Sequence, residues 1–545
     1  MTNIVDKTNG TQPATGTLAL ENGLHGANIN PPDIATRVFD YIICGAGSAG
    51  CVLANRLSAD GAQVLLIEAG GPDNTEMIST PIRLIELWGT QYDWGYSTVP
   101  QTHAKGRQLY WPRGKTLGGS SSLNAMIYVR GNASDYDEWA EKYGCKGWDY
   151  KSVLPYFKKS EDFSRGEGEF HGAGGLLHVT ADYEPHPVIK AIVEASQQAG
   201  YAYNDDTNGK TQEGVAYVDL TTKDGKRAST AMAFLRPALE RPNLTLITNA
   251  RVQRIEVENK RAHAVVYKQA DQIHSVRAKH DIIVSGGAIE SPRILMLSGI
   301  GPKSELEAVG VKSVHDLPGV GKNLHDHTMA SVIHEAKKEI PQPQDMSVPP
   351  MHAHLFIKSD PALPGADIQP LFFYVPYYTP EQEQPTMNAF SLVAAGVRPT
   401  SRGSITLRSA DPDDTMNIDP QVLQTKYDVD TLVKSIKQVR EIALQPALNE
   451  WRGREIYPGP DVQTDAQLED FARSVVVSYH HQNGTCKMGV DDMAVVDPQL
   501  RVRGIEGLRV VDASIFPAVV AGNTNAPTIM VAEKAADMIL QNAQK

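Results

Sequence analysis

The run FDYIIC at 39–44 is apolar apart from Asp40, carries β-branched residues and stops at a glycine, which predicts a buried parallel strand. Cys51, Ala54 and Leu57 follow at helical spacing, and a second strand is predicted over 63–67, ending on Glu68. Ser134 followed by Asp137 predicts a capping box that opens a helix carrying Tyr136, Trp139 and Ala140. Helices are predicted over 187–199 and 229–239, then a strand over 244–248 and an alternation of Val252, Ile255 and Val257. A buried strand at 281–285 leads into a helix whose Ile294, Leu295 and Leu297 suit packing on a sheet. The interval 331–388 is rich in proline and aromatics, and an amphipathic helix with Leu432, Ile436, Val439 and Ala443 on one face comes after it. Near the end, a strand at 508–511 finishes on Asp512, a turn rich in glycine and asparagine spans 521–525, and a helix is expected from about 527 to 541.

The first strand breaks into Gly45-Ala46-Gly47-Ser48-Ala49-Gly50, and each glycine has a physical task. Gly45 permits the tight turn, Gly47 lets backbone approach a pyrophosphate, and Gly50 lets the helix pack closely on the sheet. The helix N-terminus, beginning at Ser48, offers free N–H groups and the positive end of its dipole to phosphate. Glu68, 18 positions after Gly50, is placed to accept hydrogen bonds from ribose hydroxyls. Strand, glycines, helix, strand and acid in that order predict dinucleotide binding. The stretch 114–131, GKTLGGSSSLNAMIYVRG, is too poor in apolar residues at its start to build a core, and suits backbone lying against a flat polar ligand.

A chain of 545 residues exceeds one ordinary domain. Its 52 basic and 64 acidic residues leave a net charge of −12, which argues against nucleic acid or an anionic membrane surface as partner. No apolar stretch approaches the roughly 20 residues of a membrane span. Cys44, Cys51, Cys145 and Cys486 show no paired zinc-ligand spacing and suit a reducing compartment, and 1–37 is a polar tail without the apolar core of a secretory signal. A cytoplasmic setting is therefore expected.

Further segments join the N-terminal unit. GKTLGGSSSLN at 114–124, GAIESPRILMLSGIG at 287–301, and SYHHQNGTCKMG at 478–489 with VVDASIFP and GNTNAPT are the motifs in question. Through them the sequence resembles the glucose-methanol-choline (GMC) family of FAD-dependent oxidoreductases. The resemblance implies a two-lobe α/β protein: a Rossmann-like FAD-binding domain assembled from 38–150, 223–330 and 485–545, and a substrate-binding domain with an antiparallel sheet and helices from 151–222 and 331–484. It implies FAD held at its pyrophosphate by Gly45, Gly47, Ser48 and Gly50 and at its ribose by Glu68, with Val252 at the adenine. Gly118, Gly119, Asn124, Ala125 and Met126 run beside the flavin, and Asp512, Ala513 and Thr524 near the pyrophosphate and ribityl chain. Asn124 stands where some members attach FAD covalently through histidine, so noncovalent FAD is expected.

The implied reaction oxidises a primary or secondary alcohol to the carbonyl compound, with hydride passing to flavin N5 and then to dioxygen or another acceptor. His481 is the implied general base and Asn523 the partner of the developing alkoxide. Gln482 and Asn483 depart from the Pro-Val of many relatives, with three readings open: bonding substrate, reorienting His481, or lining a turn. His480 is the alternative base, but the family spacing favours His481 and strand alternation predicts that His480 points away from the site. Hydroxynitrile cleavage, light-driven fatty acid decarboxylation and nonenzymatic flavin binding are the alternative functions. His325-Asp326-His327 has a spacing open to metal, with His352 and His354 as further ligands, but the family needs none and no metal site is expected. The aromatics from Phe372 to Tyr378 line a pocket for apolar or aryl alcohols or else fill the core, and Cys486 reads as a small buried thiol.

Overall fold

The computed structural model describes residues 28–343 and 345–543. The predicted tail up to residue 27 lies outside the described residues. Residues 28–30 are laid against the edge strand of the first sheet, where the Asn30 N–H donates to the Leu246 carbonyl.

That sheet has seven strands in the order Leu244–Ile247, Val64–Ile67, Val38–Cys44, Gln272–Val284, Arg261–Gln269 and Ala250–Glu258, with Leu508–Val510 also paired to Gln272–Val284. The pairs around Val38–Cys44 are parallel, with Ile42 opposite both Leu65 and Ile282, and Ile282 opposite Leu508. These strands are buried, with the helix Ser48–Ser58 packed on Val38–Cys44 and Val64–Ile67 and the strand Ala250–Glu258 also against Val64–Ile67. The predicted alternation of Val252 and Ile255 needs an irregularity, since two buried residues three apart cannot share a face of a regular strand. A register shift between Val252 and Arg254 supplies it.

The first helix, Ser48–Ser58, packs on the C-terminal helix Asn525–Ala543. Ser48 Oγ donates to Asn525 Oδ1 at 2.7 Å, and Arg56 pairs with the buried Glu533 at 2.7 Å. These two helices thereby meet beside the glycine turn. Helix Tyr150–Ser160, assigned from sequence to the substrate lobe beyond residue 150, packs on the same C-terminal helix, with Lys159 reaching Asp537 at 2.9 Å.

The second sheet is antiparallel, in the order Arg452–Tyr457, Thr328–Ala336, Ala389–Gly396, Leu371–Phe373, Met351–Phe356 and Gly214–Tyr217. Its amphipathic cover is the helix Lys426–Ala443, packed on Ala389–Gly396. The short strand Val477–Ser478 pairs with the start of Thr328–Ala336, and this register carries the chain into the site.

Two helix starts differ from the sequence reading. The capping box lies at Asn132 and Asp135, not Ser134 and Asp137: Asn132 Oδ1 takes the Ser134 N–H at 3.0 Å, and Asp135 takes the Asn132 N–H at 2.8 Å. Asp135 also accepts the Ala521 N–H at 2.7 Å, so the box anchors the C-terminal turn. The segment predicted as a helix over 229–239 forms a π-helical stretch, Ala231–Leu235, followed by the short turn Arg236–Ala238. Pro237 has no N–H for an i−4 bond, which keeps the run from continuing as a regular α-helix.

Candidate active site

A single cavity is lined by the glycine turn and Glu68 of the first sheet, by the 119–126 loop, and by His481 and Asn523. Of the residues expected to meet FAD, Gly45, Gly47, Ser48, Glu68, Gly119, Asn124, Ala125, Met126, Val252, Asp512, Ala513 and Thr524 all face it. Gly50 and Gly118 do not, and are corrected to supporting positions. A Cβ on Gly50 would sit 1.8 Å from the Gly45 carbonyl oxygen, while Gly118, at φ +84°, donates its N–H to the Ala46 carbonyl at 2.8 Å.

The donor set fits FAD. A Cβ on Gly47 would meet nothing within 4 Å, so the floor of the turn opens to the cavity, whereas one on Gly119 would stand 2.7 Å from Gly47 Cα. Glu68 accepts the N–H groups of Ala46 and Gly70, each at 2.8 Å, which orients the carboxylate and leaves further lone pairs for hydroxyls. Burial pushes its pKa up to about 7. Asp512 braces the second signature by accepting from Ser291 Oγ at 2.5 Å and the Gly287 N–H at 2.8 Å. The Val252 carbonyl is already taken by Arg293 at 2.8 Å. Asn124 Oδ1 accepts from the Met126 N–H at 3.0 Å and from Arg227 at 2.8 Å, and Arg227 is a buried guanidinium.

The His481 loop is built by cross-strand bonds. Tyr479 donates its N–H to the His327 carbonyl at 2.9 Å, and Asn483 donates to the His325 carbonyl at 3.1 Å, which sets 325–327 alongside 479–483. Asp326 accepts the His481 N–H at 2.8 Å and Gln482 Nε2 at 3.0 Å, as well as the Ser478 hydroxyl. His327 Nδ1 stands 2.9 Å from His481 Nδ1, and Asn523 Nδ2 stands 3.2 Å from His481 Nε2. The sequence-level pairing of His481 with Asn523 is thus present as a contact. The HDH segment whose spacing suggested metal braces the histidine instead, and no cluster of three or more metal-ligand side chains occurs among the described residues.

Every titration shift here has burial as its largest cause. His481 lies well below the ordinary imidazole range, from burial and then the charges of His327, His480 and Arg113. Burial lowers His327 and His480 to about 3, and raises Asp326 to about 6.

His480 departs from expectation. Alternation holds only for extended backbone, and His480 has φ +66°, so its residue faces the same cavity as His481 and its ring packs edge-on to Trp88 with centroids 5.1 Å apart. Gln482 and Asn483 build the loop: Gln482 Oε1 accepts from Arg113 at 2.7 Å, and Asn483 Nδ2 donates to the His481 carbonyl at 2.7 Å. In the aromatic segment both readings hold by alternation. Phe373 and Tyr377 line the cavity, while Phe372 is in the core and Tyr374 stacks on His186 at 4.1 Å.

Residues 39–329 match the N-terminal family model described as GMC oxidoreductase, and residues 399–532 match its C-terminal counterpart. The chain belongs to the GMC oxidoreductase family. Mitochondrial choline dehydrogenase of Homo sapiens is 44% identical over 534 residues, covering 92% of this chain and 89% of that protein. The oxygen-dependent choline dehydrogenase of Vibrio vulnificus (strain YJ016) is 42% identical over 528 residues, covering 92% and 94%. The crystal structure of pyridoxine 4-oxidase from Mesorbium loti superposes with a TM-score of 0.88 at 35% identity, covering 92% of this chain and 99% of that one. As a GMC oxidoreductase the chain is an FAD-dependent enzyme that oxidises CH–OH donors, and none of the alternative chemistries is favoured by these relatives.

Among the residues that brace the His481 loop and the amides of Asn523 and Asn124, Gln369, Arg113 and Arg227 were not assigned a role from sequence, and Asp326 and His327 were read only against metal binding. The HDH tripeptide was visible as chemistry without a destination; Gln369, buried and 3.3 Å from Asn523, carried no local signal at all.

Proposed function

We propose that this oxidoreductase takes primary or secondary alcohols with an uncharged apolar or aryl body to aldehydes or ketones, using His481 as base and Asn523 as alkoxide partner. When bound, FAD supplies the two-electron acceptor for the hydride of the carbinol carbon. His481 is kept neutral by its surroundings, so its ring is ready to take the hydroxyl proton at Nε2. The Asn523 amide then stands where a donor steadies the developing negative oxygen.

The observation that carries the substrate class is the wall of the cavity. Leu84, Met329, Leu371, Phe373 and Tyr479 belong to one buried apolar cluster and line the cavity. The carboxylates lining it, Glu68, Glu290 and Asp512, are each tied to cofactor-lobe partners, and none among the described residues comes from the antiparallel sheet. A fixed cation entering there would be desolvated beside the Arg113 guanidinium without a counter-charge. The second reading, a choline-like alcohol, is favoured by the names of the relatives and by the rings of Trp88, Tyr377 and Tyr479, which offer cation–π faces worth about 2 kcal/mol when dry.

Noncovalent FAD is supported by Asn124, whose amide oxygen is engaged by Met126 and Arg227 and which has no ring nitrogen to bond the flavin. A cytoplasmic setting is supported by four free, buried cysteines. The electron acceptor is dioxygen or another oxidant. Anaerobic bleaching of the flavin bands by benzylic, long-chain alkyl and choline alcohols tests the proposal, and admitting air afterwards tests dioxygen. Reduction by the apolar alcohols is expected, with loss in His481→Ala. Reduction by choline alone would overturn the substrate class, and reduction by none would overturn the assigned donors.

A further inference from the structure

We infer that His327 is the positioning residue that sets the tautomer of His481, keeping its proton on Nδ1 so that Nε2 carries the lone pair that meets the alcohol. The inference rests on the reading of His481 as base. A neutral imidazole has one N–H, so two Nδ1 atoms 2.9 Å apart form a hydrogen bond only when one of them carries the proton. The remaining contacts decide which. Asn523 Oδ1 accepts from Gln369 Nε2 at 3.3 Å, which turns the Asn523 NH2 toward His481 Nε2 at 3.2 Å. An amide NH2 can only donate, so His481 Nε2 is the acceptor and the His481 proton resides on Nδ1. His327 Nδ1 is then the acceptor, and the His327 proton sits on its far nitrogen.

The direction of this row is fixed at its two ends. Amide and ring assignments follow from the network around them, and reversing every member would give an equally bonded row. The present direction leaves one buried N–H without a partner among the described residues, at His327 Nε2, whereas reversal would turn the Gln369 NH2 to the place of its partnerless Oε1 and orphan two. Orphaned buried donors are costly, so the direction with fewer of them is the one adopted. His327 and His481 are both buried, so neither ring takes a second proton near neutrality. Gln369, Asn523 and His481 therefore donate in one sense, and His327 accepts at the end of the row. The sheet register that places Thr328 opposite Ser478 is what brings the two rings together.

The test compares His327→Leu, which removes the acceptor at similar bulk, with His327→Asn, whose Oδ1 falls where Nδ1 stood. Stopped-flow anaerobic reduction by the best alcohol is expected to slow about 10- to 100-fold in His327→Leu at unchanged substrate Kd, the scale of losing an outer partner of a functional histidine. His327→Asn is expected within about threefold of native, since an acceptor is retained. Equal losses in the two variants, or an undiminished rate in His327→Leu, would overturn the inference. Full reduction in His481→Ala would instead overturn the base itself. If the leucine variant fails to fold, 15N magic-angle-spinning spectra of histidine-labelled native holoenzyme decide, with His481 assigned by its loss in His481→Ala. A protonated Nδ1 supports the inference and a protonated Nε2 overturns it.

Discussion

His481 is held toward its neutral ring by burial first, then by repulsion from His327, His480 and Arg113. A base with a lowered pKa stays unprotonated until the pH falls below that value. The acid limb of kcat/KM is therefore expected below pH 6.5, the ordinary imidazole value, and a limb at or above 6.5 would show that another group titrates. Asp326 is a second residue-scale determinant, because one carboxylate holds the His481 and Gln482 donors and the Ser478 hydroxyl. In Asp326→Asn an NH2 would face one of these buried donors, an unpaired contact costing about 1–3 kcal/mol. A lower Tm and slower flavin reduction are expected together; native values of both would show that the clamp is dispensable.

At the scale of elements, the strand-turn-helix at 38–58 has two glycines with opposite duties. Gly50 is fixed by backbone crowding, since its Cβ would lie 1.8 Å from the Gly45 carbonyl, and Gly47 by the open space a ligand needs. Gly50→Ala is expected to destabilise the apoprotein by about 1–3 kcal/mol or more, as overpacking against immobile backbone does. Gly47→Ala is expected to melt like native apoprotein and to lose FAD affinity instead. Apoprotein melts and FAD titrations of both variants check the pair, and the reverse order of effects would sink it. The antiparallel pairing of Val477–Ser478 with Thr328–Ala336 has a comparable role on the substrate side, because it turns a short strand into the support of the His481 loop.

Across the whole molecule, one cavity joins a mixed sheet, whose parallel strands carry the glycine turn, to an antiparallel sheet that supplies apolar wall residues. Asn124 at the join leads to the expectation that acid precipitation leaves the flavin in the supernatant, and flavin pelleting with the protein would show a covalent bond formed elsewhere. The strands at 39–44 and 63–67, the glycine turn and the amphipathic helix around Leu432 were legible because each is a local matter: apolar period, backbone freedom and the need to hide one face from water. The capping box was misplaced by two residues because Asn132 and Ser134 both open acceptable boxes, and only the turn at Ala521 selects Asp135. His480 was misdirected because strand period says nothing about a residue in a left-handed turn. By itself the sequence determined the glycine turn and the acid of the cofactor cradle and singled out His481 as the base we propose, because both reside in contiguous motifs. Only the tertiary structure decided what stands behind that base: His327 and His481 are 154 residues apart, as are Gln369 and Asn523, and cross-strand register and chain return, which leave no local pattern, bring them within hydrogen-bond reach.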